Sequence, residues 1–216
     1  MAEYHTVEQG EYLGLIARHH GFASYTTIWN HDNNTDLRNL RQNPNILLPG
    51  DQVFIPDKLV KTAEAGSGKS TRFKVVLDKV LLRLKLDELF GQPLANVQCE
   101  IRVDGKTVKK TTDDSAIVEI EVTAAAQEAE LVVKESGDRL EDVVIPIKIG
   151  HLDPVEEQTG QIARLNNLGY FAGPIDEVDE QFLRSAVEEF QCDEKLTVDG
   201  KCGPKTQAKL KAIHGC

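Results

Sequence analysis

The sequence predicts a multidomain α+β chain: a βααβ module, a central antiparallel β-sandwich and a C-terminal domain of three helices. Three observations carry this expectation. A length of 216 residues exceeds one small domain and suits two or three modules. The charge texture changes twice along the chain. Residues 1–57 hold 3 basic and 7 acidic side chains, residues 58–150 hold 15 and 16, and residues 151–216 hold 7 and 12. Apolar spacing changes with it, from mixed, to period two, to a helical period.

Within residues 1–57, Tyr4–Val7 is a short β-like run ended by Gly10. Leu13, Ile16 and Ala17 fall at i, i+3 and i+4, one face of a helix that stops at Gly21. Ser24 suits the N-cap of a second helix carrying Ile28 and Trp29, with Trp29 turned to the core. A polar excursion, Asn30–Asn45, follows. Pro49-Gly50 then turns the chain into the strand Val53–Ile55, which Pro56 closes. Residues 58–71 read as a linker, because Thr62–Thr71 is small, polar and without apolar periodicity.

Residues 72–150 alternate as strands do. Phe73, Val75 and Leu77 form one series, and Leu82, Leu84 and Leu86 another. Val97, Cys99, Ile101 and Val103 run into Asp104-Gly105, a strong hairpin signal. Ile117–Val122, Leu131–Val133 and Val143–Ile149 complete the set, at a spacing that suits a sandwich. Near Gly150–Pro154 the pattern turns helical, opening the domain 151–216. Val155, Ile162, Leu165 and Leu168 mark one helix face, Phe182, Ala186 and Phe190 a second, and Thr206, Leu210 and Ile213 a third. Ile175-Asp176 and Val198-Asp199 each precede a helix, which suggests a weak internal repeat.

Composition excludes several functions. A net charge of −10 disfavours nucleic acid, whose phosphates need a basic face. No apolar run is long enough to insert in a membrane. The segment Met1–Tyr12 has neither a basic n-region nor an apolar h-region, so synthesis without a signal peptide, in the cytoplasm, is expected.

Tempting motifs mostly dissolve. Gly66-Ser67-Gly68-Lys69-Ser70 lacks the earlier glycine of a phosphate loop, with Ala63 in its place, and no strand precedes it. His19 and His20 are adjacent at a helix end, so they diverge and read, with His5 and His31, as solvated side chains rather than a metal site. Cys192, Cys202 and Cys216 lack zinc spacings, so reduced thiols and a disulfide formed after export both stay open. Adjacent Glu188 and Glu189 point about 100° apart on a helix and do not converge on one bond. No cofactor and no catalysis are expected.

Two ends of the chain resemble known families. Tyr4-His5-Thr6-Val7-Glu8-Gln9-Gly10-Glu11, Leu15-Ile16-Ala17 and the closing Asn43–Pro56 segment, with Pro49-Gly50 and Ile55-Pro56, resemble a LysM domain. The resemblance implies a groove for N-acetylglucosamine-containing glycans, walled by Gln9, Gly10, Glu11 and Tyr12 on one side and Asn45, Ile46, Leu47 and Leu48 on the other. Leu165–Tyr170, Gly173-Pro174-Ile175-Asp176, Ala186–Gln191 and Val198–Thr206 look like a three-helix peptidoglycan-binding domain. That likeness implies a second glycan site, with Tyr170, Phe171, Asp176 and Asp199 as candidates. Gly91–Val97 with Thr111–Asp114 is similar to transthyretin-like or carboxypeptidase-regulatory sandwiches, which serve as spacers.

The order of modules, with Ile28–His31, is similar to proteins associated with type VI secretion spikes. The reading is therefore non-catalytic peptidoglycan binding at both ends, in company with a contractile secretion system or its toxic effector. Two alternatives are an adaptor that docks on a spike or phage-like baseplate, and a cell-wall hydrolase. Delivery to a periplasm or outside the cell would be the machine's work.

Overall fold

Tyr4 faces Phe54 across the first strand pair, their ring centroids 5.3 Å apart. Those strands are β1 (Glu3–Thr6) and β2 (Gln52–Ile55), antiparallel, with Val53 and Ile55 pointing into a core. The structure is a computed structural model describing residues 2–59, 62, 64–68, 70–72, 78–87, 93–134 and 141–216. Among these residues the fold is mixed α+β, with six α-helices and antiparallel sheets. The expected strand through Phe73, Val75 and Leu77 lies outside the described residues, as do Lys69, Gly91 and Gln92.

Helices α1 (Leu13–His19) and α2 (Thr26–Trp29) cover the strand pair. Leu13, Ile16, Ala17 and Ile28 join Val7, Val53 and Ile55 in one core, with Trp29 half-buried against it. The polar excursion is not loop throughout. A 3-10 turn (Asp32–Asn34) leads into α3 (Thr35–Arg41). This helix escapes an apolar pattern because only Leu37 is buried, while polar contacts fix it. Buried Asn34 donates to the carbonyls of Ile28 and Phe54, each at 2.8 Å, and accepts from the Phe54 amide at 2.8 Å. Arg41 grips Asp51 with two parallel bonds of 2.7 and 2.8 Å.

Two sheets share the next core. One pairs β3 (Lys79–Lys85) with β6 (Ile117–Thr123). The other has the order β5-β4-β7-β8, built from β4 (Gln98–Val103), β5 (Lys106–Thr111), β7 (Glu128–Val133) and β8 (Val143–Lys148). Cys99, Ile101 and Val103 meet Val118, Ile120 and Val122 between the sheets, as alternation requires. The β4–β5 hairpin turns at Asp104 and Gly105, with φ of 51° and 69°, the left-handed pair that a two-residue turn needs. Among the described residues, strand β8 is an edge with Val143, Val144 and Ile145 exposed. The Ile149 amide donates to Gln127 O (2.8 Å), so alternation aims the amides of odd-numbered residues at β7. Pro146 therefore has no N–H to offer on the side turned away from β7.

The N-terminal layer and the sandwich form one compact unit, Met1–His151, and Leu152–Cys216 forms another. Three modules were expected; the first two are joined by specific contacts. The Tyr12 hydroxyl donates to Ala126 O at 2.7 Å. Asp78 accepts from the Tyr25 amide (3.1 Å) and donates through its own amide to Ala23 O (3.3 Å).

The second unit is helical: α4 (Gln158–Asn167), α5 (Glu180–Asp193) and α6 (Pro204–His214). Asp179 caps α5 by accepting from the Gln181 and Phe182 amides, and Pro204 occupies the first turn of α6. Ile162, Leu165, Leu183, Ala186, Val187, Phe190 and Leu210 make the core. The expected α5 face through Phe182 is corrected here. Leu183-Ala186-Val187-Phe190 follows i, i+3, i+4, i+7 and faces inward, leaving Phe182 45% exposed. The two helix ends repeat one geometry. Gly169 (φ 91°) and Lys195 (φ 56°) are left-handed, and the next residue's amide bonds five residues back, Tyr170 to Leu165 O and Leu196 to Gln191 O.

Candidate functional site

The N-terminal candidates divide by burial. The chain on each side of the expected groove is drawn together by the Leu13 amide on Pro44 O (3.0 Å) and the Gly50 amide on Val7 O (2.9 Å). Tyr12, expected on the groove wall, is only 2% exposed. Its ring lies against Gly150, where an added Cβ would come within 2.5 Å of it, and burial pushes the hydroxyl up to about 12. Gly10 is covered by the His151 ring, and Leu47 is 4% exposed within the core. The Tyr12 and Leu47 side chains therefore point inward, and Gly10, which has no side chain, is buried beneath His151. Glu11 is half-buried and committed: its carboxylate accepts from the Glu8 amide (2.9 Å) and meets His5 Nε2 at 2.7 Å. Gln9 and Asn45 are exposed, and Ile46 and Leu48 are half-buried.

His20 departs from the solvated expectation. It sits half-buried with its ring edge-on to His5, centroids 5.3 Å apart, and burial followed by the His5 charge lowers its pKa. Among the described residues, no group of three or more His, Cys, Asp or Glu side chains is placed to hold a metal ion. No helix among them is long and apolar enough to cross a membrane.

The C-terminal unit carries a groove of about 280 Å³. Gln158 and Gln161 of α4 line it, with Glu180, Leu183, Arg184 and Val187 of α5 and the loop Gly200–Cys202. Gln191 builds that loop from inside. Its Nε2 donates to Asp199 Oδ1 (2.9 Å), Lys201 O (3.0 Å) and Thr206 Oγ1 (3.0 Å), and its Oε1 accepts from the Asp199 and Gly200 amides. The Gln191 bond, then the Lys201 amide, hold the Asp199 carboxyl below its usual range. Gly200 is left-handed (φ 67°) and lies beneath Arg184, whose Cγ would be 2.8 Å from an added Cβ. Arg184 in turn pairs with Glu188 at 2.9 Å.

A buried cation lies on α4. Arg164 is 1% exposed and donates to three carbonyls, those of Asp153, Gly160 and Cys216, at 2.8 to 2.9 Å. Burial raises the Cys202 thiol to about 11, so it is protonated and weakly nucleophilic at neutral pH. All four cysteines are free thiols.

The second set of expected site residues also divides. Tyr170 is half-buried, edge-on to Phe190 at 5.6 Å, with its hydroxyl donating to Asp193 Oδ2 (3.0 Å). Burial, then Asp193, raise its hydroxyl to about 12. The Asp199 carboxylate is turned into its own loop. Phe171 is 68% exposed, and Asp176 is exposed. Sequence reasoning missed Phe182, whose ring stands 5.1 Å from Phe171, and it missed the groove. The inward i, i+3, i+4, i+7 series of α5 is the signal that would have freed Phe182.

Compared with models of protein families, residues 163–210 match the peptidoglycan binding domain. The match falls within the C-terminal unit. Compared with the curated proteins and with the solved structures, the chain gives no match.

Proposed function

We propose that this protein binds peptidoglycan without cleaving it, and that its C-terminal unit makes the main contact. The family match over residues 163–210, which takes in the exposed Phe171–Phe182 pair and the α5 and loop side of the groove, carries the reading. Ion pairing of Glu188 with Arg184 and the inward turn of Asp199 support a binding role over a hydrolytic one, since both carboxylates are engaged in holding structure. The LysM likeness supports a second, weaker contact through Gln9, Asn45, Ile46 and Leu48, the positions left at or near the surface. Two weak contacts on one polymer raise apparent affinity.

The test is retention of the purified chain on peptidoglycan sacculi at low and high salt. Retention at both is expected, because the chain is acidic and its contacts are neutral. Absence of retention overturns the reading, and release of soluble muropeptides would move it to the hydrolase alternative. The order of modules further supports a place beside a contractile secretion spike or its effector. Co-purification with a spike protein checks that association, and loss of sacculus binding in the same preparation would make the adaptor role the primary one.

A further inference from the structure

The Phe171–Phe182 pair is built as a surface, although neither ring belongs to the core. The rings meet at 70° with centroids 5.1 Å apart, and they are 68% and 45% exposed. Each is anchored separately. The loop carrying Phe171 is held by Asn166, which accepts from the Ala172 amide and donates to Gly173 O, both at 2.8 Å. Phe182 stands in the first turn of α5, capped by Asp179, and packs on Gly173, where an added Cβ would lie 3.4 Å from its ring. Two fixed rings lose little freedom on binding, which is what makes exposed aromatics effective contacts.

The surroundings select the occupant. Residues 165–183 contain no Lys, Arg or His, whereas Asp176 and Glu177 are exposed carboxylates in the same loop. Such a rim repels the carboxylates of a stem peptide and accepts hydrogen bonds from sugar hydroxyls. The cationic groups of this unit nearest a cleft, Arg184 and Lys201, lie on the groove. At about 100° per residue, Arg184 is about 200° around α5 from Phe182, so the two surfaces are on opposite sides of the helix.

We infer that Phe171 and Phe182 form a stacking platform for the neutral pyranose face of N-acetylglucosamine, separate from the groove. This rests on the peptidoglycan-binding reading for its polymer and adds the sugar, the face and the residues. One ring stacks under the apolar face of the sugar, and the other meets the N-acetyl methyl.

The decisive experiment titrates the full chain, with labelled phenylalanine rings, with the N-acetylglucosamine tetrasaccharide by NMR and calorimetry. Shifts of both rings and contacts to pyranose protons are expected. Phe171→Ala and Phe182→Ala should each weaken binding about tenfold, with unchanged melting, and Phe182→Tyr should keep it. Three outcomes overturn the platform: no ring shifts, shifts confined to groove residues, or alanine variants that bind as well as the parent. Loss of self-association in the double variant with no response to the sugar also overturns it, making the patch a protein contact. Sacculus retention of the parent chain is scored separately, so peptidoglycan binding can survive the platform's failure.

Discussion

Replacing Tyr12 by Phe removes one oxygen from the buried seam between the N-terminal layer and the sandwich. The lost hydrogen bond to Ala126 O is worth about 1 kcal/mol net, and leaving that buried carbonyl without its donor adds about 1 kcal/mol more. A loss of about 2 kcal/mol in a unit of this size lowers its melting temperature by about 4–8 °C. Tyr12→Ala removes the whole ring from a site that is 2% exposed and should cost about 3–5 kcal/mol. It should also split the first unit's transition in two, because the buried ring packs into the seam between the two layers. Calorimetry of the full chain reads both effects. Alkaline pH gives an independent check. Between the ordinary 10 and about 12 the unfolded chain loses the Tyr12 proton while the folded chain keeps it, so stability falls across that window. The slope should become shallower in the Phe variant. Retention on sacculi should stay the same. A Phe variant that melts within about a degree of the parent yet loses glycan binding would refute this reasoning and turn Tyr12 outward.

The second unit offers two further tests. Gln191→Glu keeps the shape but sets a carboxylate against Asp199 Oδ1 and Lys201 O where an amide donated; urea titration should find this variant several-fold less stable at pH 7 than the parent, with part of the loss recovered near pH 4 as the new carboxyl protonates. His214 is held down to about 4 by burial and then by Arg164, against 6.5 when unfolded. The unfolded chain therefore binds the proton first as pH falls, so this contribution is intact above about 6.5 and is lost between there and 4; His214→Asn should flatten that limb, and NMR titration of the imidazole should show the low midpoint.

Local signals were legible and distant ones were not. Asp104-Gly105 announces its hairpin because two left-handed residues in sequence leave few alternatives. The alternation of Cys99, Ile101 and Val103 reports a sheet with one buried face. Helix α3 was hidden because it is secured by Asn34 and Arg41 rather than by an apolar stripe. Tyr12 was misplaced for a different reason: its partner is 114 residues away, and no local pattern encodes which way such a ring turns. In the C-terminal unit the two Ile/Val-Asp loops were visible as a repeat, but the Gln191 amide that builds the second one could only be seen once α5 and the loop were placed together.

The seam also changes what residues 58–71 do. With Tyr12 on Ala126, and Asp78 on Ala23 and Tyr25, the N-terminal layer is held by its own contacts. The stretch between closes a circuit instead of setting a reach. Doubling such a loop costs only about 0.6 kcal/mol in closure entropy, so its length and wording are nearly free to drift. A cut within it would turn these intramolecular contacts into an association of two fragments. The protein is in that sense divisible at a place where its sequence looks most like a string.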